Sequence, residues 1–200
     1  MLSIRKIFGF FNWSTTASSK EKSNLEQTSY PKELLDELNE IVVDSGVEQK
    51  ERRDSFIQDS LMYYSESELV NALSEIYTDA KVNNSIKDQA AFGIQALIAS
   101  RTNMDLHGFI SDEIYHPVAR KWAINELIER HDISANLTFI YRVIVDSDDS
   151  GVRKLAAFGL GVIGGKAALE VLGKVQPADP IYNEAQKAKN IILEKFKLAG

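Results

Sequence analysis

The chain has no cysteine among its 200 residues. That removes disulfides, thiolate nucleophiles and any thiol-based metal site, and it fits a reducing cytoplasm. No stretch approaches the roughly 20 apolar residues that span a bilayer, so no segment reads as crossing a membrane. A basic balance is missing as well. The net charge of −6 and the pI near 5.2 leave no broad positive face to displace counterions from phosphates, so nucleic acid is disfavoured as a partner. No six-residue segment alternates apolar and polar residues beside strand-type turns, which predicts an all-α chain. His107, His116 and His131 lack the H-E-x-x-H spacing, and no G-x-S-x-G elbow presents a serine. The residues call for no catalysis, cofactor or metal, which leans the reading away from an enzyme.

What the chain does have is a repeat. Lys87, Arg120 and Arg153 follow one another at equal intervals, and their neighbours keep register. Ile86, Ala119 and Val152 precede the base. Ala90, Ala123 and Ala156 follow it by three positions, then Ala91, Ile124 and Ala157, then Ile94, Leu127 and Leu160. A fixed period of this length marks stacked repeats. Apolar residues at helical spacing, small in the middle and larger towards the end, describe a helix that approaches its neighbours closely along one stripe. Partner helices are expected at Leu106–Tyr115, Ser134–Val145 and Ala167–Val175, joined by short polar turns that favour antiparallel neighbours.

Upstream, Pro31–Val43, Val47–Tyr64 and Ser67–Val82 carry apolar residues at three- and four-residue spacing, which predicts three further helices. Tyr30-Pro31 starts the first, and Asn83 to Ser85 supply a turn and a cap for the Lys87 helix. A fourth copy at 185–196 keeps Ala185, Leu193 and Phe196 but has Lys189 where the alanine belongs, so 180–198 reads as a polar terminal cap. Residues 31–200 are therefore expected to form one domain, preceded by a tail and polar linker at 1–30.

The strictest copy, Val152-Arg153-Lys154-Leu155-Ala156-Ala157 through Leu160, Ile163 and Gly164, resembles the second helix of HEAT-like repeats, particularly the short variety of phycobilin-lyase-type proteins. The likeness is clear over 83–164. It implies an α-solenoid of antiparallel helix pairs in which an acid and a base, here Asp149 and Arg153, bond neighbouring turns. His116 and Asn83 stand where the equivalent acids are expected. The T-P-L-H and W-x-x-L-G signatures of ankyrin and tetratricopeptide units are absent.

Two literal motif matches fail on context. Gly159 to Gly164 spells G-x-G-x-x-G, but a dinucleotide fingerprint needs a turn after a strand, whereas these glycines close a helical repeat and read as close packing and a helix stop. Asp146 to Gly151 resembles the opening of a calcium loop, but its twelfth position is Ala157 instead of a bidentate glutamate, so it reads as a turn with Asp149 or Ser150 capping the next helix.

The repeated bases have two readings. Lys87, Arg120 and Arg153, flanked by Lys121 and Lys154, form either a positive strip for an acidic partner or a ladder bonding neighbouring turns. Trp122, Phe92 and Phe158, with Tyr63, Tyr64, Tyr77, Tyr115 and Tyr141 near helix ends, read as core first and as partner hot spots where exposed. The expected function is a non-catalytic protein-binding module, such as a bacterial regulator, an assembly factor or an immunity protein. A phycobilin-lyase-like chromophore attachment factor and a HEAT-like DNA glycosylase are the alternatives, the latter disfavoured by net acidity.

The first 30 residues differ in kind. They hold four bases and two acids, a net of +2, which leaves −8 for the remainder. Three readings compete: a signal peptide, which its short apolar region disfavours; a flexible or packed tail; and an interfacial anchor with Ile4, Ile7, Phe8 and Phe11 on one helical face beside Arg5 and Lys6. Residence is expected in the cytoplasm, at the inner membrane face if the head anchors. An anchoring head should carry the full chain upward with anionic liposomes in a flotation gradient, and a chain that stays at the bottom rejects it.

Overall fold

The computed structural model describes residues 29–43, 46–130 and 133–198. The head residues Ile4, Arg5, Lys6, Ile7, Phe8 and Phe11, and also His131, lie outside them. The described chain is all-helical, with ten helices and no strand among the described residues: α1 (Lys32–Val43), α2 (Gly46–Ser60), α3 (Glu66–Thr78), α4 (Asn84–Ala99), α5 (Asn103–Ser111), α6 (Pro117–Glu129), α7 (Ile133–Asp146), α8 (Ser150–Ile163), α9 (Lys166–Gly173) and α10 (Tyr182–Leu198). None of these helices is long and apolar enough to cross a membrane.

Helix starts are written locally. Ser65 and Glu68 form a capping box at α3, and Thr102 and Asp105 form another at α5. The three equivalent positions that precede the repeated bases are all caps: Asn83 accepts from the Ile86 N–H at 2.9 Å, His116 Nδ1 from the Val118 N–H at 3.2 Å, and Asp149 from the Val152 N–H at 2.7 Å. His116 and Asn83 therefore do the capping work of the missing acids. Pro117 supplies the first residue of α6, where its absent N–H costs nothing.

Helices α4, α6, α8 and α10 pack in series, and each also rests on the helix before it, α3, α5, α7 and α9 respectively; α1 and α2 lie against α4. One hydrophobic core runs from Tyr30 to Ile192. Ala90, Ala123 and Ala156 are fully buried in it, flanked by Ile94, Ile124 and Leu160. Each large aliphatic side chain so buried is worth roughly 1.5–3 kcal/mol of transfer free energy.

The glycine run sits inside α8. A Cβ on Gly159 would stand 2.6 Å from Ile128 Cδ1, and one on Gly161 would stand 2.9 Å from the Ala188 Cα of α10. Gly164 follows the helix, where a Cβ would collide with the Leu160 carbonyl and Ala168. Helix ends are satisfied from the next layer. Arg130 donates to the Ala99 and Arg101 carbonyls at 3.1 and 2.6 Å beyond α4, and Lys195 of α10 donates to the Val162 carbonyl of α8.

Predicted helix ends move: the helix expected to reach Val82 stops at Thr78, and the one expected over Leu106–Tyr115 runs Asn103–Ser111. The helix expected to reach Tyr64 ends at Ser60, and Leu61 to Tyr63 turn tightly, with Met62 and Tyr63 exposed. The Ser65 capping box opens α3 immediately afterwards, so the chain must leave α2 early.

Gly161→Ala should lower stability by about 1–3 kcal/mol in urea or thermal unfolding through overpacking against α10. Gly108→Ala, where an added Cβ meets nothing within 4 Å, should be neutral or stabilising by up to about 1 kcal/mol. Ala156→Asp, which leaves a charge unpaired between helices, should cost on the order of 3–5 kcal/mol. Equal effects of the two glycine changes would refute the close-approach account.

Candidate partner-binding groove

The repeated arginines make a ladder. Arg120 is 2% exposed; its Nε donates to the Ile110 carbonyl of α5 at 2.7 Å, and its terminal nitrogens donate to Asp148 at 2.9 Å and Ser147 at 3.0 Å in the turn before α8. Arg153 repeats the pattern one layer on, to the Ile144 carbonyl of α7 at 2.6 Å and to Asp179 at 2.6 Å before α10. Each guanidinium thus ties the end of the preceding helix to the turn that opens the following layer, a use suited to its rigid fork of donors. Asp148 is held below the usual carboxylate range, chiefly by its hydrogen bond from Arg120. Asp179 is lowered first by the Ile181 backbone N–H and then by Arg153. The two arginines therefore do not stand out as a positive strip: their donors face into the chain.

The first rung is different. Lys87 takes the place of arginine and its ammonium, among the described residues, makes no hydrogen bond and no ion pair. Its charge reaches Asp79, but that carboxyl is lowered mainly by the Lys81 N–H and the Tyr30 hydroxyl. Beside Lys87 lies a groove of about 440 Å³, walled by Tyr77 and Thr78 of α3, Lys87 and Asp88 of α4, Lys121, Trp122 and Asn125 of α6, and Leu155 of α8. Tyr77 and Trp122 meet edge to face, with ring centroids 5.8 Å apart. Asn125 Oδ1 is buried and receives no hydrogen bond among the described residues. Burial pushes the Lys121 ammonium down from its ordinary value, with Asp149 opposing the shift.

The groove lies against the opening turns of α4 and α6, which, like those of α7, α8 and α9, carry no acid in their first turns. Two helix dipoles and two lysines thus share one electropositive corner of an acidic protein.

Of the five bases singled out from sequence, the structure brings Lys87 and Lys121 together at this groove. It sets Arg120 and Arg153 in the ladder and leaves Lys154 outside the groove walls. Phe92 is covered by the Arg53 guanidinium, 3.8 Å from its ring centroid. Asn125 was not singled out, yet the signal was present: it stands one repeat after Phe92 and one repeat before Phe158, a polar residue at a position that is otherwise aromatic. His107 Nε2 meets the accepting Asn136 Oδ1 at 2.7 Å and its ring stacks on Phe139, whereas His116 caps α6. Asp148 and Asp149, oxygen donors of the calcium-like run, are taken by Arg120 and by the Val152 N–H.

His116 yields a pH prediction. Its Nδ1 must be unprotonated to cap α6, and its pKa is lowered first by burial and also by Lys121, against the opposing charges of Glu75 and Asp149. A lowered folded pKa means stability that is fully present above the unfolded value of about 6.5 and is lost as pH falls from there. His116→Asn, which keeps a capping oxygen as at Asn83, should melt with a flatter dependence between pH 7 and pH 5 than the parent. Parallel pH profiles would show that His116 does not titrate in this way. Compared with protein-family models, with curated proteins and with solved structures, the chain matches none.

Proposed function

We propose that this chain is a non-catalytic, HEAT-like α-solenoid of antiparallel helix pairs that binds a protein partner in the groove beside Lys87. The serial packing of α4, α6, α8 and α10, each backed by the helix before it, supports the solenoid. The observation that carries the binding reading is the interrupted ladder: where Arg120 and Arg153 close their rungs, Lys87 does not, and beside it lies a groove walled by Tyr77 and Trp122.

Aromatic anchors surrounded by a few oriented polar groups are the usual make-up of an interface hot spot. The groove's two lysines are accompanied by Asp88, so its positive potential is local and suits a short contact, not the long phosphate track of a nucleic acid.

The test is an affinity pull-down of the tagged full-length chain from its native lysate, run beside Lys87→Glu in the groove and Lys154→Glu outside it. One protein retained by the parent and by Lys154→Glu, and lost from Lys87→Glu, is the expected result. Retention by all three would move the interface elsewhere on the molecule.

A further inference from the structure

We infer that the groove takes an acidic peptide segment: a side-chain carboxylate on Lys87 and an apolar side chain against Trp122 and Tyr77. This rests on the groove reading above and names its ligand chemistry.

Each part follows from what the groove leaves unmet. The Lys87 ammonium is a cation without a hydrogen bond or ion pair among the described residues, placed where an arginine elsewhere finds a carboxylate of its own chain, Asp148 or Asp179. The missing group is therefore a carboxylate, and the other rungs show the pairing. The Tyr77 and Trp122 rings and Leu155 offer apolar surface in the same 440 Å³. The first turns of α4 and α6, capped by the neutral side chains of Asn83 and His116 and carrying no acid, add a preference for negative charge at this corner. Asp88 on the rim penalises a second close carboxylate. The site is thus fitted to a single carboxylate flanked by apolar residues, not to a run of acids or a phosphate dianion.

The experiment uses the full chain with Trp13→Phe, so that Trp122 is its only tryptophan. The probe is an acetylated, amidated pentapeptide with one central aspartate flanked by leucines, titrated while Trp122 emission is followed. The matched peptide with asparagine for aspartate and inorganic phosphate are run in parallel. The expected result is a saturable emission shift with the aspartyl peptide, and at least tenfold weaker binding of the asparaginyl peptide and of the aspartyl peptide to Lys87→Gln.

Lys87→Gln also separates function from folding: the Lys87 ammonium makes no hydrogen bond or ion pair among the described residues, so the change should leave the melting temperature unchanged while it weakens the peptide. Equal binding of the two peptides, indifference to Lys87→Gln, or an equal shift with inorganic phosphate would overturn the inference. So would a concentration-dependent rise in mass by sedimentation that Lys87→Gln abolishes, because a second copy would then be the occupant. If the peptide fails while the pull-down partner is still lost from Lys87→Glu, the peptide chemistry is wrong and the groove stands; if that partner is indifferent to Lys87, the groove reading fails on its own.

Discussion

The close approach of α6, α8 and α10 is the constraint on which the remaining features depend. Where Gly161 faces the Ala188 backbone, and Gly159 faces Ile128, there is no room for a further carbon. Contact at that distance fixes the axial position of each helix against the next, because interiors at crystal-like density do not slide. Once the axes are fixed, the turns at both ends are fixed too, and Asp148 and Asp179 come within hydrogen-bond reach of Arg120 and Arg153. The ladder is a consequence of the small-residue stripe, and its energy is modest by comparison. Asp148 is about half exposed, so solvent screens much of that pairing. The buried part of the interaction, Arg120 Nε to the Ile110 carbonyl, satisfies an end-of-helix acceptor that water cannot reach.

The same geometry explains why so much was legible from spacing. Ala90, Ala123 and Ala156 recur because each occupies the same narrow gap, and Asn83, His116 and Asp149 recur because each opens the next helix. The fixed period is the trace of a packing distance, so the positions it repeats are those that packing dictates. The bases gave a less determinate signal. Lysine and arginine both satisfy the pattern at the first position after the buried aliphatic, and spacing says nothing about where the far end of either side chain finds its acid. Arg120 and Arg153 reach acids 28 and 26 residues ahead, in turns whose course only the folded stack defines. The end of α2 was hidden for another reason: Leu61, Met62 and Tyr63 continue the apolar spacing, but they face solvent in a turn set by the cap of the following helix.

The groove was the least legible part because it is made of departures from the repeat. Lys87 replaces an arginine, Asn125 replaces a phenylalanine, and Trp122 stands where Gln89 and Leu155 stand in the adjoining layers. Taken singly, each is an ordinary substitution on a helix. Only the packing of α4 against α6 shows that all three open onto one space, together with Tyr77 from the outer helix α3.

Helices α4, α6 and α8 carry similar residues at equivalent positions, and at α6 and α8 the arginine closes its rung. At this groove Lys87 forgoes the contacts that Arg120 and Arg153 make in the two following helices of the series. A repeated rule broken where the chain opens a groove, while the next two rungs obey it, is the physical pattern of a site kept open for something outside the chain.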